Sequence, residues 1–121
     1  IINYFMLSII IPVKNESENL KDITDYFVNN LNDLEFELLI VNDFSEDDTF
    51  EKMKNLSMKN KNLKILNNTK KGLGGAVNLG IKESSGSYIS IMMADKSDDI
   101  NDLKKYYKII TSEKYDAVLG S

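Results

Sequence analysis

The chain has 121 residues, 42% of them hydrophobic, and this length and composition predict one domain with an adequate core. It contains no histidine and no cysteine, which excludes imidazole bases, thiolate nucleophiles, Cys/His zinc sites and disulfides. The formal net charge of −4 gives no general attraction to nucleic acid or to anionic membranes, so we expect no nucleic acid partner. The absence of cysteine suits a reducing compartment.

Apolar runs rich in β-branched residues alternate along the chain with helical periodicity. The first apolar run, residues 7–13, predicts a strand and is too short to cross a membrane. Leu20, Ile23, Phe27, Leu31 and Leu34 recur at steps of three and four, and they predict one buried face of a helix. Later strands are predicted at 36–41, 63–66, 88–93 and 116–119, and later helices at 49–58, 76–84 and 100–112.

This alternation of strands and helices predicts an α/β fold with a mostly parallel sheet and helices on both faces. The run 88–93 is apolar nearly throughout, which is typical of an inner strand covered on both sides. In such sheets ligands bind beyond the carboxyl ends of the strands. The loops with unusual composition, 12–16, 42–48, 67–75 and 94–99, all follow a strand. We therefore expect them to meet at one rim of the sheet.

Acidic residues follow the strand at 88–93, beginning with Asp95 and continuing through Asp98 and Asp99. Magnesium and manganese prefer hard oxygen ligands and usually keep several waters while binding substrate phosphates, so one or two carboxylates suffice. A solvated acidic loop that caps the next helix would have the same composition. These residues alone leave both interpretations open.

The segment 70–75 (KKGLGG) can bring backbone N–H groups and two ammonium charges to a phosphate at the start of a helix. A dinucleotide-binding fingerprint is disfavoured, because it needs a small residue where Val77 stands and its loop follows the first strand of the fold. The glycines would also suit a flexible turn and close helix packing.

Four motifs stand in order: 9–16 (IIIPVKNE), 39–49 (LIVNDFSEDDT), 71–80 (KGLGGAVNLG) and 92–99 (MMADKSDD). With these motifs the chain resembles the family 2 glycosyltransferases, particularly the dolichyl-phosphate mannose synthase branch and its bacterial relatives. The resemblance runs from about Leu7 to Ser121. It implies a GT-A fold, a Rossmann-like three-layer α/β/α arrangement, cut off here after the fifth strand.

The resemblance also implies transfer of a sugar from a nucleotide-sugar donor to a lipid-phosphate or saccharide acceptor. Residues 1–121 would form a single donor-binding portion, with the acceptor-binding half beyond them. Such enzymes serve cell-envelope polysaccharide or glycolipid biosynthesis, in the cytoplasm or at the cytoplasmic face of the membrane. The oligomeric state stays open.

The first two motifs of the resembled family contact the nucleotide. The resemblance maps Pro12 and Glu16 to the base and ribose pocket, with Lys14 in a position that is usually aromatic. The acidic pair after the second strand is Asn42-Asp43 here, and Asp43 matches the acid that contacts the base or ribose. A carboxylate suits an imino N–H or a sugar hydroxyl because it is a strong acceptor.

The third and fourth motifs imply the diphosphate and metal contacts. Lys71 and Gly74 belong to the segment that lies near the sugar-nucleotide. The family's Asp-x-Asp metal motif reads Met93-Ala94-Asp95 here, so its first carboxylate is missing. Asp95 matches the metal-binding second acid, with Ser97 as a further polar ligand, and the implied cofactor is Mg²⁺ or Mn²⁺.

Two other classes of function remain alongside this interpretation. No residue stands out as a catalytic base, so the catalytic residues are unknown, and a non-catalytic nucleotide or nucleotide-sugar binding module would use the same rim. A flavodoxin-like phospho-acceptor domain would need a lysine at the end of the fifth strand. Gly120 and Ser121 stand there instead.

Overall fold

A parallel sheet of four strands forms the centre of the chain in a computed structural model, which describes residues 6–94 and Lys105. The strands are β1 (Leu7–Val13), β2 (Phe36–Asn42), β3 (Leu63–Asn67) and β4 (Tyr88–Ile91). The helices that connect them are α1 (Leu20–Asn30), α2 (Thr49–Lys59) and α3 (Leu73–Glu83). The predicted α/β class is confirmed, while the helix predicted at 100–112 and the strand at 116–119 lie outside the described residues.

The spatial order of the strands is β3-β2-β1-β4. β1 pairs along its whole length with β2, from Leu7 opposite Phe36 to Val13 opposite Asn42. On its other side β1 pairs with β4. The chain therefore moves outward from β1 to β3 and then returns across the sheet through α3, which makes the β1/β4 boundary the point where the direction of winding reverses.

Two apolar clusters hold the helices against opposite faces of the sheet. On one face α1 and α2 bury residues that include Leu20, Ile23, Phe27 and Met53 against Ile9, Ile11, Leu38 and Ile40. On the other face α3 packs Ala76 against Ile10, Leu39 and Val41. Alternate residues of β1 thus face opposite layers, as expected for a strand covered on both sides. This division of the helices between the faces is the one expected for right-handed crossovers.

Two predicted boundaries differ from the structure. α3 begins at Leu73, inside the glycine-rich segment that we expected to remain a loop through Gly75. β4 ends at Ile91 and lies at the edge of the sheet formed by the described residues, with Ile89 and Ile91 each 43% exposed. The strand predicted at 116–119, which could pair with the free side of β4, lies outside the described residues, so the inner-strand interpretation of 88–93 stays a prediction. No helix among the described residues has the length and apolarity to cross a membrane.

Candidate functional site

A cleft of about 270 Å³ opens at the carboxyl ends of the strands. Its walls come from the ends of β1, β2 and β4 and from the start of α3, and they comprise Pro12, Val13, Lys14, Glu16, Asp43, Leu73, Met93 and Ala94. The cleft thus lies at the β1/β4 reversal point. In open α/β sheets this crevice is where ligands bind.

The structure brings four of the predicted site residues together, since Pro12, Lys14, Glu16 and Asp43 all line the cleft. The other two described members, Lys71 and Gly74, are exposed and flank the wall without lining it. Leu73, which sequence reasoning did not select, stands between them and does line the cleft.

The two predicted metal ligands, Asp95 and Ser97, lie outside the described residues. Ala94, which immediately precedes Asp95, lines the cleft. In the described part of the chain, no three acidic, histidine or cysteine side chains form a group that could hold a metal ion. Met93, which is 40% exposed, occupies the place of the first acid of the family's Asp-x-Asp motif, and a thioether is too soft a ligand for magnesium.

Strained backbone shapes the loops after β1 and β2. Asn15 (φ 53°) and Phe44 (φ 57°) both adopt the left-handed conformation that few non-glycine residues take. The Asn15 backbone N–H donates to Ser45 Oγ at 2.9 Å, and the Glu46 N–H donates to Asn15 Oδ1 at 2.7 Å. These bonds tie the two loops together across the rim and hold Asn15 in its unusual conformation.

The same two loops are joined a second time at the start of α2. The Glu16 N–H donates to Thr49 Oγ1 at 3.0 Å, and Ser17 Oγ donates to Asp48 Oδ1. Asp48 occupies the N-cap position of α2 without making a side-chain cap bond, because its carboxylate accepts from Ser17 instead. The loop that carries Glu16 is therefore fixed to the start of a helix.

Asp43 is held between β1 and the start of α3. Its backbone N–H donates to the Val13 carbonyl at 2.8 Å. Its Oδ1 accepts from the Gly72 N–H and from Asn68 Nδ2, both at 2.9 Å. The Gly72 bond lowers the pKa of the Asp43 carboxyl, and the Asn68 bond and the charges of two nearby lysines act in the same direction against an opposing effect of burial. The carboxylate is thus ionised at neutral pH.

This lowered pKa predicts how the stability of the fold depends on pH. Because the folded pKa lies below the usual value of 3.8, ionised Asp43 stabilises the native state fully above that value, and this contribution disappears as the pH falls through the folded pKa. We expect the difference in unfolding free energy between wild type and Asp43→Asn to be constant at neutral pH and to shrink below pH 3.8. Urea denaturation at a series of pH values measures it, and a difference that grows on acidification would contradict the expectation.

Two buried asparagines support the site, and sequence reasoning did not assign either to it. Asn42 Nδ2 donates to Asn67 Oδ1 at 2.9 Å, and Asn42 Oδ1 accepts from the Ser45 N–H at 3.3 Å. The Asn42 side chain, which takes the place of the first acid in the family's pair after the second strand, is therefore occupied by bonds within the protein. Asn68 joins the loop after β3 to Asp43. The asparagine content of these loops was the only sequence signal for this network.

Residues 8–121 match the model of Glycosyl transferase family 2, and the chain belongs to that family. It is similar to a dolichol-phosphate mannosyltransferase of Pyrococcus furiosus, with 43% identity over 90 residues that cover 74% of this chain and 25% of the relative. It is also similar to the dolichyl-phosphate β-glucosyltransferase ALG5C of Trichomonas vaginalis, with 31% identity over 91% of this chain and 36% of the relative. The chain thus spans between 25% and 36% of the length of these two relatives.

Solved structures share the fold. S. aureus TarS 1-349 has a TM-score of 0.67 and 27% identity, covering 90% of this chain and 33% of that chain. The mannosyltransferase PcManGT from Pyrobaculum calidifontis, in complex with GDP-Man and Mn²⁺, has a TM-score of 0.65 and 21% identity, covering 74% of this chain and 27% of that chain. The expected GT-A fold is confirmed.

Proposed function

We propose that the protein is a glycosyltransferase that moves a sugar from a nucleotide-sugar donor to a lipid-phosphate or saccharide acceptor. The observation that carries the proposal is the cleft at the β1/β4 reversal point, where Pro12, Lys14, Glu16 and Asp43 lie together in a member of Glycosyl transferase family 2. The names of the relatives, which act on dolichol phosphate, support a lipid phosphate as the acceptor. Residues 1–121 would supply the donor-binding portion.

Asp43 would bind the nucleoside half of the donor. Its carboxylate is ionised, and the hydrogen bonds to Gly72 and Asn68 both use Oδ1. In the region the structure describes, Oδ2 makes no hydrogen bond, so it can accept one from a base imino N–H or a ribose hydroxyl. Lys14 lines the cleft and Lys71 flanks it, so both ammonium groups would offset part of the charge of a diphosphate bound there.

In the transfer, an acceptor oxygen attacks the anomeric carbon, and the bond from that carbon to the diphosphate oxygen breaks with its electron pair leaving on the nucleoside diphosphate. A phosphate acceptor is already nucleophilic, whereas a hydroxyl acceptor must give its proton to a base. Asp95 and Ser97 would hold a magnesium or manganese ion, which suits their oxygen donors and would neutralise charge on the leaving diphosphate. A lipid-phosphate acceptor would place the reaction at the cytoplasmic face of a membrane.

A panel of nucleotide-sugars tests the donor half of this proposal. A ligand that binds only the native state raises the melting temperature, so the matching base and sugar should produce the largest shift. Release of nucleoside diphosphate in the presence of an acceptor then tests transfer.

Met93, in place of a carboxylate, favours a second candidate, a module that binds the nucleotide without transferring the sugar. Binding without release would support that candidate, and absence of any shift would contradict both.

The metal assignment predicts the behaviour of Asp95→Ala. Magnesium or manganese should strengthen nucleoside diphosphate binding to wild type, and this enhancement should be lost in the variant because its main carboxylate ligand is gone. Calorimetry with and without the metal measures the enhancement. Asp99→Ala, which removes a carboxylate from the same segment, is the matched control and should keep it. An unchanged enhancement in Asp95→Ala would assign the metal to other ligands.

A further inference from the structure

Asn68, the first residue after β3, forms hydrogen bonds with both its backbone and its side chain to three different parts of the cleft region. It is buried, with 6% of its surface exposed. Its backbone N–H donates to the Asn42 carbonyl at 2.9 Å, which continues the pairing of β2 and β3 by one residue. Its side-chain Nδ2 lies 2.9 Å from Asp43 Oδ1, 2.7 Å from the Lys70 carbonyl and 3.3 Å from the Gly72 carbonyl. Its Oδ1 accepts from the Lys70 N–H at 3.1 Å.

These bonds fix two parts of the cleft relative to each other. One amide contacts the Asp43 carboxylate and the backbone on both sides of Lys71, immediately before α3. Gly72 has a φ of 115°, which side chains other than glycine rarely tolerate, and its N–H donates to the same Asp43 oxygen. Asn68 and Gly72 therefore hold Oδ1 between them, and the carboxylate has one orientation.

We propose that Asn68 is a positioning residue of the nucleotide site, which orients Asp43 so that Oδ2 accepts a hydrogen bond from the nucleoside half of the ligand. This inference rests on the proposed function and adds to it a residue that does not itself touch the ligand. Without the Asn68 amide, the Asp43 carboxylate can rotate, and the ligand must then restrict that rotation when it binds. The loss falls mainly on contacts to the nucleoside, because Lys14, proposed to lie beside the diphosphate, belongs to the loop after β1, which the Asn68 side chain does not contact.

The substitution Asn68→Asp tests this proposal with almost no change in shape. It keeps an acceptor for the Lys70 N–H and removes the Nδ2 donor to Asp43 and to the Lys70 and Gly72 carbonyls. Binding of UDP, GDP and inorganic diphosphate to the full chain is measured by calorimetry. For the preferred nucleoside diphosphate we expect a dissociation constant at least tenfold higher than in wild type. For inorganic diphosphate we expect a smaller loss, less than threefold, because the added charge and the loosened backbone beside Lys71 act on it only indirectly.

Two further single variants and one double variant make the result specific. Asn67→Asp introduces the same charge one residue earlier and keeps the acceptor for Asn42 Nδ2, so it should bind both ligands within twofold of wild type. Asn68→Ala adds no charge and should reproduce the selective loss, even where Asn68→Asp fails to fold. In an Asp43→Ala background, Asn68→Ala should cause no additional loss, because a residue that acts through Asp43 has nothing left to orient.

The outcomes separate this inference from the proposed function. Selective weakening for the nucleoside diphosphate, absent in the Asp43→Ala background, supports the positioning role. Equal weakening for both ligands, or an undiminished effect without Asp43, shows a purely structural role and overturns the inference while leaving the proposed function intact. Failure of wild type to bind any nucleoside diphosphate overturns the proposed function, and the positioning role falls with it.

Discussion

Gly75→Ala is expected to destabilise the fold by on the order of 3 kcal/mol, the upper end of the usual range for overpacking. A β-carbon at this position would lie 1.9 Å from the Lys70 carbonyl oxygen and 2.9 Å from its carbon. These are backbone atoms, so the clash cannot be relieved by a rotamer change. Relief requires movement of α3 or of the loop that Asn68 holds. Because domains are stable by only about 5–15 kcal/mol, a loss of this size is readily measured.

The neighbouring glycine provides a matched control for this prediction. A β-carbon on Gly74 would meet no atom within 4 Å, although both glycines lie in the first turn of α3. Gly74→Ala should therefore be neutral or stabilising by up to about 1 kcal/mol, since alanine favours the helix more than glycine does. Urea denaturation of the two variants beside wild type checks the difference. Similar stabilities for the two variants would show that the Lys70 carbonyl does not pack against Gly75 as described.

Asp43→Ala is expected to weaken nucleoside diphosphate binding by about 10- to 100-fold, corresponding to roughly 1.5–3 kcal/mol for a hydrogen bond to a charged group. The substitution removes the acceptor proposed for the nucleoside. It also leaves the Gly72 N–H and the Asn68 amide without their shared partner, so the wall formed by α3 loses its connection to β2. Both effects act on the same cleft.

Calorimetric titration of wild type and Asp43→Ala with the same ligand measures this loss. Asp47→Ala is the control, because Asp47 lies in the same loop and its carboxyl also has a lowered pKa. The main cause of that lowering is the hydrogen bond from the Thr49 side chain. Asp47 does not line the cleft, so its loss should not cause a large change in affinity. Its loss should reduce the stability of α2, because its bonds to Thr49 lie at the start of that helix. Equal weakening in both variants would assign the effect to the loop as a whole.

Much of the fold follows from local sequence patterns. β1 was predicted with the bounds it has because a mostly apolar run, interrupted only by Ser8 and Pro12, ends at charged Lys14. The rim was predicted because parallel strands direct their carboxyl ends to one edge, and the cleft lies there. The start of α3 was missed because glycine lowers helix propensity, whereas Gly75 is required by the Lys70 carbonyl beside it. That requirement comes from the way the loop before α3 folds back against the first turn of the helix, which residue propensities do not report.

The supporting residues of the site were harder to predict than the site itself. A family motif identifies Asp43, but the partners that orient it come from a loop 25 residues further along the chain. An asparagine in a loop is usually explained by a turn, and its side-chain partners depend on which strands pair. The strand order β3-β2-β1-β4 places the end of β3 beside the end of β2, and the sequence contains no local signal for that order.

The hydrogen bonds between the loops after β1 and β2 affect the thermodynamics of ligand binding. Asn15, Glu16 and Ser17 are each bonded to the segment 45–49 before any ligand arrives. A ligand that contacts this wall does not have to order it, and it therefore avoids the conformational entropy that flexible binding loops lose on association. Binding at this wall should accordingly have a small entropic penalty, and the rate of association should reflect diffusion into a preformed surface.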